Sequence, residues 1–124
     1  MEVPEIFESE YRFCEILWEQ EPVLSSELVR LCAQKLGWKK STTYTVIKRL
    51  SQRGVVKSEN AVVTALVTRE EVQAARSREF VEKNFSGSLP GFIAAFTKKG
   101  RLSERDAAQI RKMLDDCLEQ EKRK

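Results

Sequence analysis

Between Lys35 and Lys57 the chain carries seven basic residues and no acid. Within that stretch Lys39, Lys40, Ser41, Thr42, Tyr44, Thr45, Lys48 and Arg49 supply cations, hydroxyls and one phenol at close spacing. Lysine and arginine neutralise phosphates. Serine and threonine hydroxyls donate to or accept from base edges, and a threonine methyl can meet the methyl of thymine. The 34 residues before the window have the opposite character, with eight glutamates against Arg12 and Arg30 alone. An acidic lead-in followed by an acid-free, hydroxyl-rich helix suits a surface that meets nucleic acid. The plainer alternative is a solvated outer face, but solvated faces ordinarily intersperse both signs of charge.

The elements that must hold these residues can be read from periodicity. Phe7, Tyr11, Cys14, Leu17 and Trp18 recur at helical steps and predict a first helix over about Ser9 to Glu19, ended by Pro22. A second helix should start at Ser25 or Ser26, either of which can cap it. Leu28, Leu31, Cys32 and Leu36 would face inward, and Gly37 would stop it. Trp38 bridges into a third helix ending at Gly54, in which Thr43, Val46, Ile47 and Leu50 follow the i, i+3, i+4, i+7 rule. On the opposite side lie Ser41, Tyr44, Thr45 and Lys48, with Arg49 at the edge and Thr42 beside the first turn. Lys39, Lys40, Lys48 and Arg49 would hold phosphates, helped by free backbone N–H groups around Lys40 to Thr42. Val55-Val56 and the β-branched run from Val62 to Thr68 flank Ser58-Glu59-Asn60-Ala61, which predicts a hairpin. Three helices and a hairpin make a winged helix-turn-helix. The wing tip holds an acid and no lysine or arginine, so support of the fold is its expected role.

Thr68 with Glu71 is a capping-box signature for a fourth helix, broken by Ser86-Gly87-Ser88. Leu89, Phe92, Ile93 and Phe96 form a short apolar face, and Gly100 interrupts it. Ser103 with Asp106 opens a last helix striped by Ala107, Ile110, Met113, Leu114 and Cys117, before a charged tail from Glu119 that should fray. About fifty residues with strong apolar stripes and no sheet bury themselves poorly. Phe80, Phe92, Ile93, Phe96, Ile110, Met113, Leu114 and Cys117 are therefore expected to pair with a second copy, giving a homodimer. The fold class is mainly α with a small β-hairpin. A winged helix over 1–70 is followed by a helical dimerisation region over 71–124.

Composition narrows the function classes. With 41% hydrophobic and 33% charged residues and a net charge of +3, the chain is ordinary globular protein, not a polycation. No apolar run reaches membrane-span length, and the acidic first ten residues lack a secretory layout. Cys14, Cys32 and Cys117 are widely spaced and form no C-x-x-C pair, which fits reduced thiols in a cytoplasmic protein. There is no histidine, no Gly-rich phosphate loop and no G-x-S-x-G, so no metal, no cofactor and no enzymatic activity are expected.

Glu10-Tyr11, Ile16-Leu17-Trp18 and the run Trp38-Lys39-Lys40-Ser41-Thr42-Thr43-Tyr44-Thr45-Val46-Ile47-Lys48-Arg49-Leu50 through Arg53-Gly54 resemble the penicillinase-repressor family, from about Glu8 to Leu118. The resemblance implies a dimeric transcriptional repressor on a dyad-symmetric, double-stranded operator. Ser41, Thr42, Tyr44 and Thr45 would stand at the base-contacting positions. It also implies release by a sensor protease cutting the dimerisation region, at the bond corresponding to Ala95-Phe96; the family often carries asparagine where this chain has Ala95. A copper-responsive branch carries paired C-x-C motifs at its C-terminus, and this chain has only Cys117 there. A winged helix can instead serve as a protein-docking module for an acidic partner, since fold alone does not fix function.

Overall fold

The computed structural model describes residues 2–123. In chain order its elements are α1 (Glu8–Gln20), β1 (Val23–Leu24), α2 (Ser25–Leu36), α3 (Lys40–Gln52), β2 (Val56–Glu59), β3 (Val62–Ala65), α4 (Arg69–Phe85), α5 (Leu89–Lys98) and α6 (Glu104–Lys122). The architecture is the one expected, a mainly helical chain with an N-terminal winged helix-turn-helix and helices after it. Two compact units divide it, Met1–Arg78 and Glu79–Lys124.

The first unit has a single hydrophobic core. Phe13, Leu17, Leu28, Leu50, Val55, Val56 and Val63 are all fully buried in it. Cys14 and Leu17 of α1 are buried in the core as the periodicity predicts, and Trp18 packs against it, but the buried face is wider than that stripe. Phe13 and Ile16 are buried there, whereas Phe7 precedes the helix as its N-cap and is exposed. Tyr11 is half-buried and meets the edge of Trp18 at 5.7 Å. No serine caps α2. Its N-cap is Leu24, and the Ser25 N–H donates to the Ala61 carbonyl at 2.8 Å. Gly37 closes α2 with φ of 70°, a left-handed conformation that glycine reaches at little cost.

The sheet has three strands in the order β1-β3-β2, one more than the hairpin expected. β1 pairs antiparallel with β3 through Val23↔Val63 and Leu24↔Val62. β2 pairs with β3 from Val56↔Ala65 to Glu59↔Val62. Asn60 and Ala61 link them with φ of 53° and 63°. Two consecutive positive φ values define the two-residue turn whose twist matches a hairpin.

The capping box is formed. Glu71 N–H donates to Thr68 Oγ1 and Thr68 N–H to Glu71 Oε1, each at 3.0 Å. The start of α4 is held within the first unit. Trp18 Nε1–H donates to the Val67 carbonyl at 3.0 Å, and the Arg76 guanidinium lies 4.0 Å from the Tyr11 ring centroid while pairing with Glu8.

In the second unit Phe85 and Phe92 meet edge to face with centroids 5.5 Å apart, and Phe80 and Phe96 each stand 6.0 Å from Phe92. Ser88 caps α5 by accepting from Gly91 N–H, and Ser103 caps α6 by accepting from Asp106 N–H. Neither α5 nor α6 buries any residue completely. The tail does not fray where expected, since α6 runs on to Lys122; Lys124 lies outside the described residues.

Candidate nucleic-acid interface

α3 is amphipathic in the register its sequence dictates. Thr43, Val46, Ile47 and Leu50 are buried, which turns the opposite side outward. Lys39, Lys40, Ser41, Thr42, Tyr44, Thr45, Lys48 and Arg49 are all exposed, Tyr44 at 40%. The inner face anchors this arrangement. Leu50 is completely buried, and Trp38, just before the helix, stacks on Phe13 with centroids 6.3 Å apart and planes 2° off parallel.

The helix start is open. Its N-cap, Lys39, makes no side-chain cap hydrogen bond, and the first turn holds no acid. Initial amides of a helix have no intrahelical acceptor, so this end offers donors and the positive end of the helix dipole to an anion.

The seven cations of the basic window are not equivalent. Among the described residues no ion pair includes Lys35, Lys39, Lys40, Lys48 or Arg49. Arg53 and Lys57 are already engaged. Lys57 Nζ lies 2.9 Å from Glu59 Oε2 on the wing, which leaves the wing without net positive charge. Arg53 turns inward at the end of α3 and pairs with Glu10 of α1. In the sequence Arg53 belongs to the acid-free window but not to the eight candidate DNA-binding residues, and nothing there links it to Glu10. Their partnership spans 43 residues, beyond the reach of any local pattern.

Burial opposes ionisation of Glu10. Hydrogen bonds from Arg53 and the Phe7 N–H, with the charges of Arg53 and Arg49, outweigh it and hold the carboxyl below its ordinary value. The Cys14 thiol is pushed up to about 12, chiefly by burial and then by the Glu10 charge. Burial also raises Cys32, partly offset by a hydrogen bond with Thr43. Both are inert core thiols, while Cys117 is exposed. Among the described residues no group of three or more cysteine, aspartate and glutamate side chains is placed to hold a metal ion. No helix there is long and apolar enough to cross a membrane.

The family model for the penicillinase repressor matches residues 6–116. This chain belongs to the penicillinase repressor family. It is 24% identical over 115 residues to the methicillin resistance regulatory protein MecI of Staphylococcus aureus, covering 90% of this chain and 94% of that protein. It is 18% identical over 118 residues to the penicillinase repressor of Bacillus licheniformis, covering 92% of each. An uncharacterised 16.5 kDa protein of Latilactobacillus sakei is 29% identical over 114 residues, 89% of this chain and 78% of that one. The family match includes residues of both units.

Several apolar side chains of α4 to α6 stand in solvent. Phe80, Ile93, Phe96, Met113, Leu114 and Cys117 are exposed, while Phe92 and Ile110 are half-buried. Ala95 and Phe96 sit in the C-terminal half of α5, both exposed.

Proposed function

We propose that this protein is a DNA-binding transcriptional repressor that grips a dyad-symmetric operator as a homodimer. In this reading residues 1–70 are the DNA-binding winged helix and residues 71–124 the dimerisation region. The observation that carries the reading is the outer face of α3, where hydroxyls, a phenol and unpaired cations stand together in solvent. Ser41, Thr42, Tyr44 and Thr45 enter the major groove. Lys39, Lys40, Lys48 and Arg49 hold phosphates on either side, and the open start of α3 adds backbone donors. Arg53 and Lys57 fall outside this set because each already has an acidic partner.

The exposed stripe of α6, with Phe96 and Ile93 of α5, meets the same stripe of a second copy. Two modest half-site affinities then combine through high effective concentration. A cut at Ala95-Phe96 by a sensor protease would separate α6 from the DNA-binding unit and end that cooperation. Family membership and the exposure of both residues support this switch. Its product is recognisable by mass spectrometry as a fragment beginning at Phe96.

The test is a gel shift with the duplex upstream of the protein's own gene and with random duplex. Replacing Lys48 and Arg49 together by alanine should weaken binding on every sequence, whereas Thr45→Val should change which sequence is preferred. Parental behaviour in both variants would end the assignment of α3. A second reading, a winged helix that docks a protein partner, is favoured by the charge-neutral wing and the exposed Leu24, Val62 and Leu66 on and beside the sheet. It predicts no measurable duplex binding near physiological salt.

A further inference from the structure

Arg53 terminates α3, its N–H donating to the Arg49 carbonyl at 3.2 Å. Its guanidinium makes three hydrogen bonds outside that helix. Nη1 donates to Glu10 Oε1 at 2.9 Å and to the Glu5 carbonyl at 2.7 Å, and Nη2 donates to Glu10 Oε2. The Phe7 ring lies beneath it, 5.3 Å from the guanidinium carbon. Glu10 Oε1 accepts in addition from the Phe7 N–H at 2.9 Å. One planar fork thus ties the end of α3 to the first turn of α1 and to the segment leading into it.

This arrangement does not suit a group that holds DNA. The Glu10 side chain is only 6% exposed and that of Arg53 28%, so most of the fork is withdrawn from solvent and matched by a carboxylate. Bidentate geometry fixes direction as well as distance, which a lysine at the same place would not do. A buried pair of this kind is weak evidence for stability, and its best-attested use is to fix one defined arrangement. The arrangement defined here is the pose of α3 against α1. Groove insertion depends on that pose, because Ser41 and Thr42 stand at the other end of the same rigid helix.

We propose that Arg53 is a positioning residue for DNA recognition, with Glu10 as its anchor: the pair sets the pose of α3 and makes no contact with phosphate. The proposal rests on the DNA-binding reading above. It departs from what the basic window suggests, since a cation next to a recognition helix would ordinarily be assigned to the DNA backbone.

The two roles differ in sign. If Arg53 held a phosphate, Glu10→Gln would release a cation and remove an acid, and binding would tighten. If the pair sets the pose, Glu10→Gln must weaken binding as Arg53→Gln does. The full-length protein, E10Q, R53Q, the double variant and R53K are titrated by fluorescence anisotropy across a salt series. The probes are a labelled duplex from upstream of the gene and a random duplex. We expect E10Q and R53Q each to lose about tenfold on the upstream duplex, as when the competent pose is populated roughly a third of the time in each of the two protomers. The double variant should lose no more than either single one, the salt slope should stay parental, and R53K should recover part of the loss. Tighter binding by E10Q, or a salt slope lowered by about two in R53Q (one contact in each protomer), would make Arg53 a phosphate ligand and overturn the proposal. Parental affinity in all variants would overturn it as well. Should R53Q fail to fold by circular dichroism, E10Q and R53K still decide through the sign and the slope. A parent protein that binds neither duplex removes the DNA-binding reading itself, and the positioning role with it. A binding parent with a tighter E10Q removes only the positioning role.

Discussion

Replacing Leu114 by alanine should weaken self-association about 30-fold. In the single chain Leu114 is 53% exposed, and Phe96, Met113 and Leu118 are more so. Full burial of a leucine side chain is worth about 1.5–3 kcal/mol. Half of that remains to be gained when a second copy covers the stripe, and alanine retains part of it, leaving roughly 1 kcal/mol lost per copy. A two-fold interface contains the residue twice, so the loss is about 2 kcal/mol per dimer, or about 30-fold in the dissociation constant. Sedimentation equilibrium over a broad concentration range measures this directly. Glu119→Gln, on the opposite side of α6 by helical geometry, is the control and should leave the constant unchanged. Leu114→Asp should give a monomer at micromolar concentration while keeping its helical content. An unchanged dissociation constant in Leu114→Ala, or a parent that is monomeric throughout, would refute the reasoning.

Other consequences follow from single residues. Ala61 sits at φ of 63°, so Ala61→Gly should relieve the left-handed conformation and raise stability by about 0.5–1 kcal/mol in urea unfolding. The Glu10 carboxyl is held below its ordinary value in the folded protein. Its stabilising contribution is therefore fully present above the ordinary carboxylate range and is lost as pH falls through the folded value. Unfolding midpoints measured from neutral to acid pH should show that loss only in the acid range, with a shallower acid limb in E10Q. Native protein treated with a thiol reagent should label Cys117 alone, because Cys14 and Cys32 are buried with raised pKa values. Denaturation should expose all three, and labelling of Cys117 should slow as concentration drives association.

What could be read from the sequence was whatever local periodicity determines. Thr43, Val46, Ile47 and Leu50 form one face because a helix repeats every 3.6 residues, and their burial turns Tyr44, Thr45 and Lys48 outward without further information. Gly37, Thr68 with Glu71, and Ser103 mark helix ends through backbone chemistry that acts within a few residues. β1 escaped notice because two residues cannot show alternation. Val23 and Leu24 become a strand only when β3, some forty residues on, supplies partners. Cys14 and Leu17 of α1 obey the same helical repeat, whereas Phe7 fits the helical spacing yet precedes the helix, and Phe13 and Ile16 widen the buried face beyond a single stripe. The same limit hid the engagement of Arg53. Counting charges along the chain cannot show that one of them is matched from across the fold.

Operator binding in this reading requires α3 to replace the counterions of a duplex with its own cations. The decisive measurement is the slope of log affinity against log salt for the full-length protein and for the variant with Lys48 and Arg49 both replaced by alanine. A steep parental slope, lowered by about four in the variant because each protomer of the dimer loses two phosphate contacts, is the predicted result on specific and random duplex alike. A parent with no salt-dependent binding, or a variant with the parental slope, would contradict it.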